Sequence, residues 1–353
     1  MKKDSHLIKI VFLADSHLGF DYPIHPRLDR RRRGHDFFDN YRKIIDHAKA
    51  LDAGVIIHGG DLFFRSRVHR KIVNMAYEPL LDAADCGIPV YLVPGNHERS
   101  ELPTTLALSH RNIFVFDRPK TYSLDIDGLT IALSGFPFRR GDIRGNFKAV
   151  LEQTGYDRNN ADINMLCIHQ AVEGATVGPS NYTFRNSPDT IRLADIPFTF
   201  DAVLSGHIHR HQILKKRNAI RDKDLPVIYP GSIERTAFAE KDEDKGFIEL
   251  TCDRSGVASI EFRKLYARPM VNLMIPCSDS IDALKTSIVA TISEFEADAI
   301  IRIKTDPDMN EKMRSRLNTD FFRSILPATM NFQFSGDGQI RKPRRRKDRK
   351  VQI

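Results

Sequence analysis

Short apolar runs recur along the chain, and each ends abruptly in polar residues. Runs of this length that are rich in β-branched residues predict buried strands. Five runs end in chemistry-bearing residues: the run from Ile8 ends at Asp15-Ser16-His17, Ala53 to Ile57 at Gly59-Gly60-Asp61, Pro89 to Val93 at Gly95-Asn96-His97-Glu98, Ile163 to Ile168 at His169, and Ala202 to Leu204 at Gly206-His207-Ile208-His209. Open α/β sheets bind ligands at the carboxyl ends of their strands. We therefore expect these side chains to converge at one edge of the fold.

The segments between the first three runs have apolar residues at helical spacing, which predicts helices over 37–51 and 68–84. Strands that alternate with helices form parallel sheets covered by those helices. Farther along, 121–126 and 129–133 flank an Asp127-Gly128 turn, a hairpin signal that indicates a second, more antiparallel sheet. Other predicted elements are a helix over 147–153 and strands over 227–229, 246–251 and 259–263. The expected fold is an α/β sandwich of two facing sheets flanked by helices.

A domain boundary is predicted near Tyr266 to Pro269. Beyond it the pattern predicts, in order, a strand over 270–275, a helix over 281–294, a strand over 299–303, a helix over 309–325 and a strand over 329–334. This small α/β part has no cluster of metal-binding residue types, so we expect it to position substrate or partners. The expected domains are 1–266, 267–337 and a tail over 338–353, whose charge is typical of disorder.

Composition and charge narrow the class of protein. Hydrophobic residues make up 41% of the chain and charged residues 28%, which is ordinary for a soluble globular protein. No apolar run approaches the ~20 residues that span a bilayer, and no secretory signal is expected. Four widely separated cysteines without a CxxC pair favour a reducing cytoplasm over a disulfide framework or a zinc ribbon. Residues 341–350 carry +7 of the net charge of +8, so the tail is cationic and the body nearly neutral.

The polar residues at the strand ends are oxygen and imidazole donors, without thiolates. Such donors suit hard or borderline divalent metals. One central carboxylate can bridge two ions ~3.5–4 Å apart, an arrangement that holds both the attacking and the leaving oxygen of a phosphoryl displacement. Asp61 is the natural bridge, because the two glycines before it permit a tight turn and leave room for ions.

Five motifs occur in order over residues 15–209: DSHLG, GGDLF, GNHE, a lone His169 after a strand, and GHIH. Together they resemble the calcineurin-like metallophosphoesterase superfamily. By motif position, the resemblance implies one ion held by Asp15, His17, Asp61 and His209, and a second held by Asp61, Asn96, His169 and His207. His97 matches the family's histidine that orients the phosphate and protonates the leaving oxygen.

Further motifs are similar to those of the SbcD-like DNA repair exonucleases: HLG after the first motif, DLF after the second, Tyr229-Pro230-Gly231-Ser232-Ile233-Glu234-Arg235, and Lys245-Gly246-Phe247. Members of that family carry a small α/β capping domain, which residues 270–334 match in size and order. The resemblance implies cleavage of DNA phosphodiesters, commonly from ends, by a metal-bridged hydroxide with His97 as general acid. It implies two divalent ions, Mn2+ foremost, with Mg2+, Fe2+ or Zn2+ as alternatives.

Several neighbouring residues admit more than one interpretation. We expect His58 to be a core or interface histidine, and His211 to contact solvent or DNA rather than a metal. Glu98 is either a partner of His97 or merely polar. The run Arg30-Arg31-Arg32-Arg33 leaves the predicted site and is a candidate phosphate contact, although charge runs are usually solvated faces.

DNA is the expected partner, and no membrane is expected. The resemblance also implies homodimers and an SbcC-type coiled-coil ATPase that docks on a helical segment after the cap, where this sequence has a short basic tail. Two other functions stay open: a phosphodiesterase for a small substrate such as a cyclic nucleotide, which would need an enclosed pocket, and a DNA-end-binding scaffold with a vestigial site. A full cluster of polar ligands favours an enzyme, because burying such a cluster is unfavourable without a function.

Overall fold

A computed structural model describes residues 7–24, 32–99, 101–103, 109–217 and 224–335. These residues form two compact units, which divide between Ala267 and Arg268. The larger unit contains two six-stranded sheets and the smaller unit one three-stranded sheet.

Helices and strands alternate only in the first part of the larger unit, and strands follow one another in most of the rest. They are β1 Ile8–Leu13, α1 Arg33–Ala50, β2 Val55–His58, α2 Arg70–Asp85, β3 Val90–Leu92, β4 Ile113–Val115, β5 Lys120–Ile126, β6 Leu129–Gly135, α3 Ile143–Glu152, β7 Ile163–Ile168, β8 Ala171–Val172, β9 Thr176–Val177, β10 Tyr182–Thr183, β11 Thr190–Ile191, β12 Ala202–Ser205, β13 Gln212–Lys216, β14 Leu225–Tyr229, β15 Lys245–Asp253 and β16 Gly256–Leu265.

Both large sheets are mixed. Sheet one has the strand order β16-β15-β1-β2-β3-β4, with β1 to β4 parallel and β15 and β16 antiparallel to their neighbours. Sheet two has the order β13-β14-β12-β7-β6-β5, with a parallel centre and an antiparallel strand at each edge. The predicted parallel start of the fold and the presence of a second sheet are therefore confirmed. The expectation that the second sheet is more antiparallel is wrong, because each sheet has three parallel and two antiparallel strand pairs.

The first strand shows why the apolar runs are continuous. Ile10 and Phe12 belong to the core between the two sheets, whereas Val11 and Leu13 pack with α1 and α2 on the opposite face. A strand covered on both faces is apolar throughout instead of alternating with polar residues. α3 covers the outer face of sheet two in the same way, with Phe147 in that cluster. The predicted α/β sandwich with flanking helices is confirmed.

Two details of the larger unit depend on local sequence. Asp127 and Gly128 both have positive φ values, 52° and 74°, as a two-residue hairpin turn between β5 and β6 requires, so the hairpin prediction is confirmed. β13 was not predicted, because its alternation of half-buried and exposed residues includes two lysines. Lysines of this kind are typical of an edge strand, where they discourage pairing with another chain.

The smaller unit contains β17 Met270–Ile275, α4 Ile281–Ser293, β18 Ile300–Thr305, α5 Glu311–Arg316, α6 Thr319–Ile325 and β19 Asn331–Ser335. Its three strands are parallel, and its core is separate from that of the larger unit. The prediction of one helix over 309–325 is wrong. Asn310 and Asn318 each accept a hydrogen bond from a backbone N–H three residues later and so begin two short helices. Residues 336–353, including the predicted basic tail, lie outside the described residues.

Within the described ranges, none of the helices has the length and apolar character needed to cross a membrane.

Candidate metal centre

The loops that follow β1 and β2 are joined by backbone hydrogen bonds. Asp15 N–H donates to the Gly60 carbonyl at 2.9 Å, and His17 N–H donates to the Asp61 carbonyl at 2.9 Å. The two parallel strands end side by side, so their loops leave the sheet together. Asp15, His17 and Asp61 are thereby held at one place before any ligand is bound.

Four of the predicted ligands have a left-handed backbone. Their φ values are 52° at Asp15, 43° at His17, 53° at Asp61 and 82° at His207. This conformation is unfavourable for residues other than glycine, by roughly 1–2 kcal/mol each. Strain of this kind persists where surrounding structure imposes it, and it clusters at functional sites. Here it turns the side chains toward one another.

Glycines let the loops approach closely. A Cβ atom on Gly60, whose φ is +104°, would lie 2.2 Å from His169 Nδ1, and one on Gly95 would lie 2.2 Å from Asp61 Oδ1. No side chain fits at either distance. The glycines of two predicted motifs therefore allow His169 and Asp61 to occupy the centre.

Asp61 lies at the centre of the cluster. Its Oδ2 is 3.4 Å from His169 Nε2, 3.8 Å from His97 Nε2 and 4.0 Å from His17 Nε2. Its Oδ1 accepts a hydrogen bond from His97 N–H at 2.9 Å. The carboxylate is almost completely buried. Its position fits the predicted role of a bridge between two ions.

The remaining ligand candidates lie on two sides of Asp61. On one side, ligand atoms of Asp15, His17 and His209 all lie within 4.8 Å of one another, and the Nε2 atoms of His17 and His209 are 2.9 Å apart.

On the other side, Asn96 Oδ1 lies 3.0 Å from His169 Nε2 and 2.9 Å from His207 Nδ1. The two sides meet where His207 N–H is shared between both carboxylate oxygens of Asp15, at 3.1 Å each. The structure therefore brings together all seven side chains predicted as metal ligands.

The donor set fits divalent cations. His17 Nδ1 is buried and has no hydrogen-bond partner among the described residues, and imidazole nitrogens of His17 and His209 face each other directly. Two buried carboxylates and an amide oxygen complete the set, with no thiolate among them. Oxygen and imidazole donors of this kind suit Mn2+, Fe2+ or Zn2+.

The charges in the cluster are strongly coupled. Burial raises the pKa of Asp15 to about 6. Burial alone would also raise the pKa of Asp61, but the imidazoles of His169, His17 and His97 outweigh it and hold that pKa far below its ordinary value. Burial lowers the pKa of His207 to about 3. Burial alone would lower the pKa of His169, but Asp61 outweighs it and raises that pKa to about 9. The ionised Asp61 and neutral His207 are in the states that metal coordination requires, whereas His169 would have to release a proton when a cation binds.

The His97 side chain is about one-third exposed (34%), slightly more than that of His209 (28%). Its Nδ1 lies 2.7 Å from the Phe64 carbonyl oxygen, which can only accept, so Nδ1 carries a hydrogen and donates. Its ring meets the His17 ring edge to face, with centroids 4.7 Å apart. Nε2 is left facing the cluster, where a substrate oxygen could reach it.

Glu98 does not contact the His97 side chain in the hydrogen bonds of the described residues, and it is not merely polar. It is buried, and one carboxylate oxygen accepts from Phe63 N–H at 2.6 Å while the other accepts from Gly95 N–H at 2.8 Å. Both earlier interpretations of Glu98 are therefore wrong. The side chain ties the loop that carries Asp61 to the loop that carries Asn96.

The two other histidines have structural roles. His58 is buried, with Nε2 2.8 Å from Ser16 Oγ and Nδ1 accepting from Gly60 N–H, so the prediction of a core histidine is confirmed. His211 was expected to contact solvent or DNA rather than a metal. It is half-buried, its ring stacks on Phe262 of β16 with centroids 4.1 Å apart, and its Nδ1 lies 3.0 Å from the Tyr229 carbonyl oxygen, so contact with DNA stays a prediction.

The predicted arginine run divides into three parts. Arg30 and Arg31 lie outside the described residues. Arg32 pairs with Asp21 at the surface. Arg33 begins α1 and is buried, with its guanidinium 5.0 Å from the centroid of the Phe20 ring, so packing accounts for this side chain better than the predicted phosphate contact.

A cavity of about 310 Å³ lies beside the cluster, and sequence reasoning missed it. Its lining includes Arg32, Arg65 and Arg67 together with the rings of Tyr22 and Phe64. Phe64 is the residue whose carbonyl accepts from His97, so the cavity adjoins the exposed side of the candidate site. Arg65 and Arg67 come shortly after GGDLF in the sequence, and a count of basic residues after each motif would have found them.

Comparison with known proteins assigns residues 8–211 to one protein family. Residues 8–211 match the calcineurin-like phosphoesterase family model, a range that holds all five motifs. Among curated proteins, the chain is similar to the DNA double-strand break repair protein Mre11 of Methanopyrus kandleri, with 24% identity over 72% of this chain and 56% of the relative. It is also similar to the protein of that name from Methanococcus maripaludis, with 24% identity over 68% of this chain and 62% of the relative. The chain thus spans about 56–62% of the length of these two relatives.

Among solved structures, a dimetal phosphatase from Danio rerio has a TM-score of 0.44 and 12% identity, covering 73% of this chain and 96% of that one.

Proposed function

The chain belongs to the calcineurin-like phosphoesterase family, and we propose that it is a dimetal phosphodiesterase that cleaves DNA, commonly from ends. The observation that carries this proposal is the convergence of five strand-end loops on the buried Asp61 carboxylate, with imidazoles on both sides of it. The similarity to relatives named for double-strand break repair supports DNA as the substrate.

We assign the two cation sites by the contacts described above. Asp15, His17, Asp61 and His209 would hold one ion, and Asp61, Asn96, His169 and His207 the other. Two divalent ions, when bound, supply a water with a lowered pKa and neutralise charge on the phosphoryl oxygens. Mn2+ is the proposed metal, with Mg2+, Fe2+ or Zn2+ as alternatives.

The proposed role of the protein in the reaction is to place groups and move one proton. His97 Nδ1 stays bonded to the Phe64 carbonyl, which fixes the ring, and Nε2 points toward the site. A proton on Nε2 would pass to the sugar oxygen as its bond to phosphorus breaks.

The cavity beside His97 supports a polymeric substrate. Arg65 and Arg67 are exposed on its rim, and Arg65 lies 5.5 Å from the centroid of the Phe64 ring. Guanidinium groups over aromatic rings bind the phosphates and bases of nucleic-acid strands. A small cyclic nucleotide would not need a second basic surface outside the metal cluster.

The test compares wild type with His97→Ala on an end-labelled linear duplex, a closed circular duplex and a small diester, bis-p-nitrophenyl phosphate, each with Mn2+. We expect Mn2+-dependent loss of the linear duplex by wild type only. Hydrolysis of the small diester without cleavage of either DNA would refute the nuclease proposal. Mn2+ uptake without hydrolysis of any of the three would support a DNA-end-binding scaffold instead.

A further inference from the structure

The proposed mechanism does not use one stretch that the sequence analysis singled out: Tyr229 to Arg235 and the Lys245-Gly246-Phe247 that follows. It forms the end of β14, the loop after it and the start of β15. We propose that this region is a positioning device for His209, in which Glu240 and Lys245, the Glu240–Lys245 clamp, fix the imidazole as a ligand of one metal ion. The inference rests on the proposed dimetal site.

The clamp holds the His209 ring through Nδ1, the ring nitrogen that does not face the metal cluster. Glu240 Oε1 is 3.2 Å from His209 Nδ1 and also accepts a hydrogen bond from Thr236 Oγ1 at 2.6 Å. A carboxylate can only accept, so Nδ1 carries the hydrogen. The lone pair is then on Nε2, the atom that faces Asp15 and His17. A carboxylate behind a metal-binding histidine fixes both its tautomer and its orientation.

The same clamp holds the backbone of His209. Lys245 Nζ donates to the His209 carbonyl at 3.0 Å and to Glu240 Oε2 at 2.8 Å. Ser232 N–H donates to the same carbonyl at 3.0 Å. Lys245 is only 1% exposed, so water cannot take over the hydrogen bonds that its ammonium group makes. Ring and main chain of this one residue are therefore fixed by two oppositely charged side chains that are bonded to each other.

If Glu240 acted only by stabilising the loop, Glu243 in the same loop should affect metal binding equally. Glu243 also bonds to Lys245, at 3.2 Å, and accepts from Arg210 Nε at 3.0 Å. It belongs to the same loop and has the same charge as Glu240, but no hydrogen bond of the described residues joins it to His209. Glu243→Gln is therefore the matched control for Glu240→Gln.

The readout is metal affinity of the metal-free protein, not activity. Each variant is titrated with Mn2+ by isothermal calorimetry, and its metal-free stability is measured by urea unfolding. Wild type should take up two ions. In Glu240→Gln we expect one ion to bind about 10–100-fold more weakly while the other is unchanged, because the clamp touches only His209 among the ligands. Glu243→Gln should bind both ions within about threefold of wild type, whatever its stability.

Two results would overturn the clamp: two ions bound by Glu240→Gln as tightly as by wild type, or equal weakening in both variants. If Glu240→Gln does not fold, Glu240→Asp takes its place, since it keeps the charge beside Lys245 but shortens the reach to His209. Glu240→Asp should bind one of the two Mn2+ ions more weakly than wild type. Wild-type affinity for both ions would again refute the inference. A folded wild type that takes up no Mn2+ would refute the proposed function itself, a result distinct from any of these.

Discussion

Asp61 and His169 follow strands of different sheets, yet Asp61 Oδ2 lies 3.4 Å from His169 Nε2. Asp61 comes after β2 in sheet one, and His169 comes after β7 in sheet two. The candidate metal centre is thus formed by loops from both sheets of the sandwich. Metal ions bound there would tie the two sheets together at their carboxyl ends, so metal binding and stability of the larger unit should be coupled.

Asp61→Asn should remove metal binding and turnover together. The substitution keeps the shape of the side chain but removes the charge that both proposed sites share. We expect Mn2+ calorimetry to detect no tight site and DNA cleavage to fall by about 10²–10³-fold. Thermal unfolding gives a second measurement: Mn2+ should raise the midpoint of wild type and leave that of the variant unchanged. A variant that still binds two ions tightly would show that Asp61 is not the bridge.

His97→Ala should keep the metals and lose turnover. In our proposal His97 touches the leaving oxygen and no ion. General acids of this kind contribute about 10²–10⁴-fold to rate. We therefore expect that loss in turnover, with Mn2+ stoichiometry and affinity as in wild type. His110→Ala is the control, because His110 pairs with Asp85 away from the site. Loss of metal in His97→Ala would instead make His97 a ligand.

Glu98→Gln should loosen the loops that carry Asp61 and Asn96. The amide keeps one oxygen, but its NH2 group meets a backbone N–H of Phe63 or Gly95 and cannot accept from it. A buried donor left unpaired costs about 1–3 kcal/mol. Urea unfolding of the metal-free variant should show a loss of that size and Mn2+ affinity should fall. Glu101→Gln, on an exposed residue nearby, should change neither quantity. Wild-type stability in Glu98→Gln would mean that the two loops do not depend on this side chain.

The sequence is most informative where strands are buried on both faces. Ile163–Ile168 is apolar except for the half-buried Asn164, because helices and the other sheet cover the strand. The end of the strand, and therefore the position of His169, can be predicted from the sequence. Contacts that depend on how loops fold are not visible. Nothing in the spacing of Glu98 or Glu240 indicates that one joins two loops and the other reaches His209. Asn318 divides the helix predicted over 309–325, and this division was not predicted. The apolar pattern continues through this position and predicts one helix, although an asparagine is also a favourable first residue for a new one.

Stability in acid should depend on Glu249. Burial alone would raise the pKa of this β15 carboxyl, but hydrogen bonds from Arg263, Lys9 and His47 outweigh it and lower the pKa to about 2. The folded-state pKa lies below the ordinary value of 4.5, so the stabilisation is complete above that value and is lost as pH falls from 4.5 toward 2.

The measurement for Glu249 is urea unfolding of wild type and Glu249→Gln at a series of pH values. We expect wild type to be the more stable at pH 6–7, and the difference between the two proteins to shrink as the pH is lowered below about 4.5. A difference that does not change with pH would mean that the charge of Glu249 contributes nothing and that only its shape matters.

Arg65 and Arg67 should contribute to DNA affinity through phosphates. Both line the cavity next to Phe64 and are exposed, and no ion pair of the described residues occupies either guanidinium. Each phosphate contact that is lost should reduce the salt dependence of binding by about one unit in the log–log slope. We therefore expect the double variant Arg65→Gln, Arg67→Gln to bind a short duplex more weakly at low salt, with a slope smaller by about two.

The control for this prediction is the double variant Arg111→Gln, Arg158→Gln, which removes the same charge from exposed arginines that do not line the cavity. Nonspecific attraction by net charge would make the two double variants equal in affinity and slope. A contact made in the cavity predicts instead that only Arg65→Gln, Arg67→Gln changes the slope, and that its Mn2+ stoichiometry equals that of wild type. Equal affinity and slope in the two double variants would therefore show that DNA does not bind in the cavity. That result would not bear on the metal centre or on His97, which the other variants test.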